Sequence, residues 1–303
     1  MVEREGFGAY SLYRIQGETL QVTVTDLGAT AVSIRFRGRE MILGYDSPEG
    51  YLAGDAYIGA AVGRYANRIG GAAFPLEGRM VRLVPNEGAN QLHGGPQSWD
   101  KRAWEAELLE DAVRFTLRSP DGDGGFPGTM SASVTYTVRG DTLRMDFEGD
   151  TDRTTVFAPT SHMYFTLGGQ GSVLDAQLQV SADRIVEVGE GLIPTGRLPA
   201  AAGRFDFRSL RTVEEDYDDA FVLTGEEACV MRRDGMRLTI RTDFPALQVY
   251  TGAFLPAPFR KNQGLALEPE FFPDSPNHPD FPSTLLRPGE HFHRWMEFGF
   301  TEE

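Results

Sequence analysis

SASVTYTVRGDTLRMDF, residues 131 to 147, alternates along most of its length. Val134, Tyr136 and Val138 share one parity, and past the turn signal VRGDT so do Leu143, Met145 and Phe147. Side chains on a strand face opposite sides in turn, so a period of two reads as two half-buried strands. The period returns at Leu20, Val22 and Val24, and at Val32, Ile34 and Phe36. It appears again at Met236, Leu238 and Ile240, and at Leu247 and Val249. Between these runs lie RGRE, DGDGGFPG, RRDGM and LRPGE, all turn signals. With 35 Gly and 18 Pro, long helices have little room, and the best helical segment is a short one around 209–215. The pattern predicts an all-β chain of many short antiparallel strands, as in a large sandwich. No linker, low-complexity tract or fixed-period repeat divides the sequence, so residues 1–303 read as a single domain.

Composition narrows the partners. The chain is 41% hydrophobic, enough for a sizeable core. Lys and Arg number 29 against 44 Asp and Glu, a net charge of −15. That balance argues against nucleic acid, whose phosphates need a basic footprint. Cys229 is alone, so no intrachain disulfide forms and a reducing cytoplasm is the natural home. The N-terminus is charged from residue 3 and lacks an apolar secretory segment. No apolar run is long enough to span a bilayer.

The stretch GLALEPEFFPDSPNH, 264 to 278, starts as an apolar strand and then places Glu268 where another aliphatic residue was due. Leu265 and Leu267 share one face; Gly264, Ala266 and Glu268 share the other. Small residues leading to a carboxylate leave space above the sheet, as a pocket floor would. Pro269 is expected to end regular pairing at a strand terminus or edge. Two readings stand: a surface glutamate at a strand end, or a partly desolvated base whose raised pKa suits it to neutral pH.

Five histidines are present. His162, in SHMYF, sits among aromatics, as a hydrogen-bonded core histidine or a catalytic group does. His93 lies in the Gly-containing loop NQLHGG, which either stabilises that loop or presents the ring. His291 and His293 share a strand face, but no third ligand completes a metal set. DGDGG at 121 to 125 resembles the start of a calcium loop, yet the twelfth position is Ala132 rather than Glu, and a turn is expected. GGQG at 168 to 171 is not followed by a helical pattern, which disfavours a dinucleotide site. In GRYANRIGG, Arg64 and Arg68 are either surface charges or, with Asn67, donors to sugar hydroxyls or a carboxylate. The acidic run EEDYDDAF reads as a solvated face from which one carboxylate turns inward.

Eight segments then fall into one order: GRYANRIGG, NQLHGGPQSWDKRAW, SPDGDGGFPG, SHMYFTLGG, LIPTGR, YDDAF, LQVYTGAF and GLALEPEFFPDSPNHPDFPSTLLRPGE. Over residues 58 to 293 this order resembles the aldose 1-epimerase (galactose mutarotase) family. The resemblance implies a galactose-mutarotase-like β-supersandwich, an open sugar cleft and no cofactor or metal. It also implies a free monosaccharide as substrate, for a monomer or homodimer. Carried over by motif, Glu268 is the general base and His162 the general acid, while Asn67, Arg68, His93, Asp218 and Gln248 hold the sugar. Ser161, Met163 and Thr166 depart from the family's usual Asn, Ser/Thr and Asn, and Asp219 stands where many members have His. Two other enzyme activities are rivals. A hexose-6-phosphate 1-epimerase would need a basic phosphate pocket, and a glycosidase would use two carboxylates. A non-catalytic sugar-binding protein on the same fold would not need the Glu268–His162 pair.

Overall fold

The computed structural model describes residues 2–303, and strands dominate it. The stretch 131–147 lies in the third and fourth strands of a nine-stranded antiparallel sheet. Within it, Met130–Arg139 pairs with Thr142–Thr151 over ten residues, Val138 opposite Leu143 and Val134 opposite Phe147. Thr142–Thr151 in turn pairs with the C-terminal strand Phe292–Glu302. The alternating residues of both strands are buried.

Two five-stranded sheets pack on this large one. The N-terminal sheet, from Val2–Phe7 to Arg39–Glu40, contacts it through Tyr13 on Phe115 and Phe36 on Phe300, with ring centroids 5.5 and 6.1 Å apart. The other sheet runs in the order Tyr164–Phe165, Leu265–Glu270, Ala246–Tyr250, Asp218–Leu223, Ala182–Ile185. It contacts the large sheet through Phe165 on Phe298 at 5.5 Å, and Phe244, just before Ala246–Tyr250, packs on Phe147 at 6.3 Å. Aromatic edge and offset contacts of this kind add to the burial of apolar area. One face of this second sheet is therefore core, and its other face is available for a site.

The expected helix around 209–215 is not formed. Arg211–Thr212 is instead a short strand at the edge of the large sheet, paired with Gln177 and Leu178. Val213 N donates to Ala176 O at 2.9 Å and Glu214 N to Leu174 O at 3.0 Å. These long-range bonds capture the segment, as tertiary context routinely does with a weak local preference. The α-helix among the described residues is Pro48–Ala53. No helix there is long and apolar enough to cross a membrane. DGDGG folds into a turn containing the single 3₁₀ turn Asp123–Gly125, with Gly122 and Gly124 at positive φ.

Arg64 is not a surface charge. It is 2% exposed, and its guanidinium donates to Ser119 Oγ, Pro127 O, Ser119 O, Pro120 O and Gly128 O at 2.8–3.0 Å. Burial lowers its pKa to about 10, so it remains charged at neutral pH. One side chain thereby organises the 119–128 turn and anchors the segment leading to Asn67 and Arg68. Removing it strands several buried carbonyls, each costing about 1–3 kcal/mol. Arg64→Met is therefore expected to destabilise the fold by about 3 kcal/mol or more. Urea unfolding tests this: the midpoint falls at constant slope, whereas an unchanged midpoint would remove Arg64 from that role.

Candidate active site

Strand register builds the floor of the site. Ala266 lies opposite Tyr164 on one side and Tyr250 on the other, and Tyr250 lies opposite Asp218. Opposed residues share a face, so Tyr164, Ala266, Tyr250 and Asp218 form one row. Two residues along, Glu268, Gln248 and Ala220 form the next, followed by Glu270, Ala246 and Val222. Ala266 adds little bulk between two tyrosines. Above this face lies a cavity of about 330 Å³, within the range of small-molecule sites.

All seven residues singled out from the sequence line that cavity: Asn67, Arg68, His93, His162, Asp218, Gln248 and Glu268. Glu268 is 2% exposed, which excludes the surface strand-end reading. Pro269 does not end the pairing, since Leu247 lies opposite it and Ala246 opposite Glu270. On the other side Tyr164–Phe165 pairs only with Ala266 and Leu265, leaving Pro269 at an open edge. Its carbonyl accepts from Thr160 Oγ1 at 2.7 Å.

His162 faces Glu268, with Nε2 3.6 Å from Oε2. Its backbone is held on both sides, by His162 N to Ala60 O and by Gly59 N to His162 O, each 2.9 Å. The ring lies between Tyr57 and Tyr164, with centroids 5.9 and 5.0 Å away. Neither His162 Nδ1 nor Glu268 Oε2 has a hydrogen-bond partner in the protein. Burial lowers the His162 pKa to about 4. Burial, then the charges of Glu270 and Asp218, pushes Glu268 well above the carboxylate range. In the free site both shifts favour the neutral forms, carboxylic acid at Glu268 and imidazole at His162. A charged imidazole is costly in so enclosed a position.

The opposite wall supplies donors. Asn67 and His93 both sit at positive φ, 61° and 50°, a region that Asn and His enter more readily than most residues. Asn67 N donates to His93 Nδ1 at 3.1 Å. The His93 proton is therefore on Nε2, where it can be donated to a ligand. Burial, with help from His162 and Arg68, keeps His93 neutral. Arg68 forks onto Glu87, with Nε–Oε2 and Nη2–Oε1 both 2.8 Å, a geometry that fixes the guanidinium plane. Gln248 Nε2 donates to Asp218 Oδ1 at 2.6 Å, which orients both side chains. Burial raises the Asp218 pKa against the opposing pull of Arg68.

Several lining residues went unnoticed in the sequence: Glu87, Tyr57, Tyr164, Tyr250 and Phe254. Glu270, just outside the lining, was legible, since the parity that picked out Glu268 puts Glu270 on the same face. Glu87 had no such signal, because the hairpin Ala73–Leu76/Arg79–Arg82 separates it from Arg68. The departures from the family pattern fall outside the cavity lining. Ser161 and Met163 are fully buried, Thr166 nearly so, and Asp219 lines a different depression beside Phe205. His291 and His293 lie elsewhere, paired with Asp150 at 3.1 Å and Asp146 at 2.9 Å.

The family model for aldose 1-epimerase matches residues 11–299. The aldose 1-epimerase of Escherichia coli K12 is 40% identical, over 93% of this chain and 92% of its own length. The galactose mutarotase of Bos taurus is 35% identical, over 97% and 95% respectively. Among solved structures, an aldose epimerase homologue from C. elegans superposes with a TM-score of 0.93 at 30% identity, covering 97% of this chain and 99% of that one. A galactose 1-epimerase from Lactobacillus acidophilus gives 0.90 at 26% identity, covering 100% and 98%.

Proposed function

This chain belongs to the aldose 1-epimerase family, and we propose that it interconverts the α and β anomers of free aldohexoses such as galactose and glucose, with Glu268 and His162 as the acid/base pair. The protein is an isomerase. The observation that carries the residue assignment is the 3.6 Å approach of two otherwise unpartnered, oppositely shifted groups on one cavity wall. The contiguous core from Tyr13 to Phe300 supports one domain. The lone, buried Cys229 supports a cytoplasmic setting.

Ring opening moves two protons. The C1 hydroxyl loses one to the base, the ring oxygen gains one from the acid, and the C1–O5 bond breaks to give the aldehyde. Rotation about C1–C2 presents the other carbonyl face, and closure reverses both transfers. The Glu268–His162 pair needs one proton in total. Carboxylic acid with imidazole and carboxylate with imidazolium differ only by a shift of that proton between the two. In the carboxylate form Glu268 takes the C1 proton and His162 donates to the ring oxygen. Each positioned transfer contributes roughly 10²–10⁴-fold. Arg68, His93, Asn67, Gln248 and Asp218 hold the sugar hydroxyls, so the pose is set before the protons move.

This proton count gives a pH dependence. The pair gains an inactivating second proton at His162, near pH 4, and loses its only proton at the raised value of Glu268. The pH profile of kcat/KM is therefore expected to rise through about 4 and to fall only above the ordinary carboxylate range. An acid limb near the ordinary imidazole value would contradict the assignment.

The cavity electrostatics favour an unphosphorylated sugar. Asp55, Glu87, Asp218 and Glu268 line the cavity, and Arg68 is the one Lys or Arg among the described lining residues. Glu87 already holds it. Polarimetry of fresh α-D-galactose, α-D-glucose and α-D-glucose 6-phosphate tests the choice. Acceleration with the free sugars alone is expected, and acceleration confined to the phosphate ester would overturn it.

A further inference from the structure

Glu270 lies two residues beyond Glu268 on the same face and is fully buried. Its Oε1 accepts from Asn67 Nδ2 at 3.0 Å, and its Oε2 has no partner in the protein. Asn67 is the junction of the donor wall. Its Oδ1 accepts from Arg68 N at 2.9 Å, its backbone N donates to His93 Nδ1 at 3.1 Å, and its carbonyl accepts from His93 N at 3.1 Å. One carboxyl oxygen at 270 thus decides which way the Asn67 amide points. It ties the strand carrying Glu268 to the loop carrying the donors.

Hydrogen bonding alone does not call for an acid there, because a glutamine oxygen would accept the Asn67 bond equally well. What the acid adds is a second titratable carboxyl next to Glu268, which carries charge once the pH passes about 8. We propose that Glu270 is a positioning residue for this reaction, locking Asn67 and His93 as donors to the sugar and governing the Glu268 carboxyl by its own charge. The titratable and charged groups near it are Glu268 on its own strand, Asp218 on the sheet, Arg68 beside Asn67, and the neutral Tyr65 hydroxyl. Burial raises Glu270 to about 8, opposed by the Asn67 bond and Arg68, and its charge in turn raises Glu268.

The inference deepens the acid/base reading above, so its two deciding readouts, a titration and a Kd, do not need turnover. Glu270→Gln keeps the shape and the Asn67 bond and removes the charge. The ¹³C NMR titration of the Glu268 carboxyl is expected to move to lower pH in this variant. Its galactose Kd should stay within about twofold, and the alkaline limb of kcat/KM should follow the titration. Glu270→Ala also frees the Asn67 amide, and its Kd is expected to rise about tenfold, with Gln, but not Ala, giving wild-type affinity. An unmoved Glu268 titration in Glu270→Gln overturns the proposal whether or not Glu270→Ala folds. So does a wild-type Kd in Glu270→Ala. A wild-type protein that binds galactose without accelerating mutarotation would sink the isomerase reading separately, leaving the NMR titration and the Kd comparison informative.

Discussion

Glu268→Gln is expected to slow anomer interconversion by roughly 10²–10⁴-fold while galactose affinity changes only a few-fold. The side chain keeps its size in a 2%-exposed position opposite Gln248, so the cavity walls stay in place. Only the titratable carboxyl proton is lost. Stability separates this from misfolding. A carboxyl whose folded pKa is raised stabilises the fold fully below its unfolded value, near 4.5, and that contribution is lost as pH rises through the folded value. Glutamine has no such loss, so at pH 8 the variant's Tm should equal or exceed that of the wild type. A slow variant with a lowered Tm would point to structural damage. A variant with a near-normal rate would remove Glu268 from the mechanism.

His162→Asn is expected to cause a comparable loss, roughly 10²–10⁴-fold, again with sugar affinity largely kept. Here the linkage has the opposite sign. The folded pKa is depressed to about 4, so its stabilising contribution is present above the unfolded value near 6.5 and is lost as pH falls towards 4. Asparagine does not titrate. The variant loses the ring contacts with Tyr57 and Tyr164 at every pH, yet its stability deficit should narrow as pH drops from 7 to 5. Thermal melts at the two pH values measure this. A rate within a few-fold of wild type would leave Glu268 without its partner and transfer the acid role elsewhere.

How much of this was legible follows from what a strand can encode. Parity is a property of neighbours in sequence, so Val134, Tyr136 and Val138 revealed a strand, and Ala266 with Glu268 revealed a cavity face. The Gln248–Glu268 pairing is a register between strands and has no local signature. The 209–215 segment failed for the same reason: its partners, Leu174, Ala176 and Gln177, lie more than thirty residues away. Arg64 and Arg68, four residues apart, look equivalent in GRYANRIGG. One closes a buried turn and the other reaches the cavity, because the carbonyls of 119–128 and the carboxylate of Glu87 are placed by the fold. Motif order gave the seven cavity residues together, and three-dimensional contact supplied Glu87, Tyr57 and the Asn67–Glu270 link.

The central claim is that Glu268, with one proton shared with His162, opens the sugar ring. Two-dimensional exchange NMR of equilibrated galactose reads this directly, because α and β C1 protons give cross-peaks when the anomers interconvert during the mixing time. Wild-type protein should produce cross-peaks that grow with protein concentration, and Glu268→Gln should reduce them to the buffer level while still binding methyl galactoside. Cross-peaks of wild-type intensity in the variant would contradict the claim.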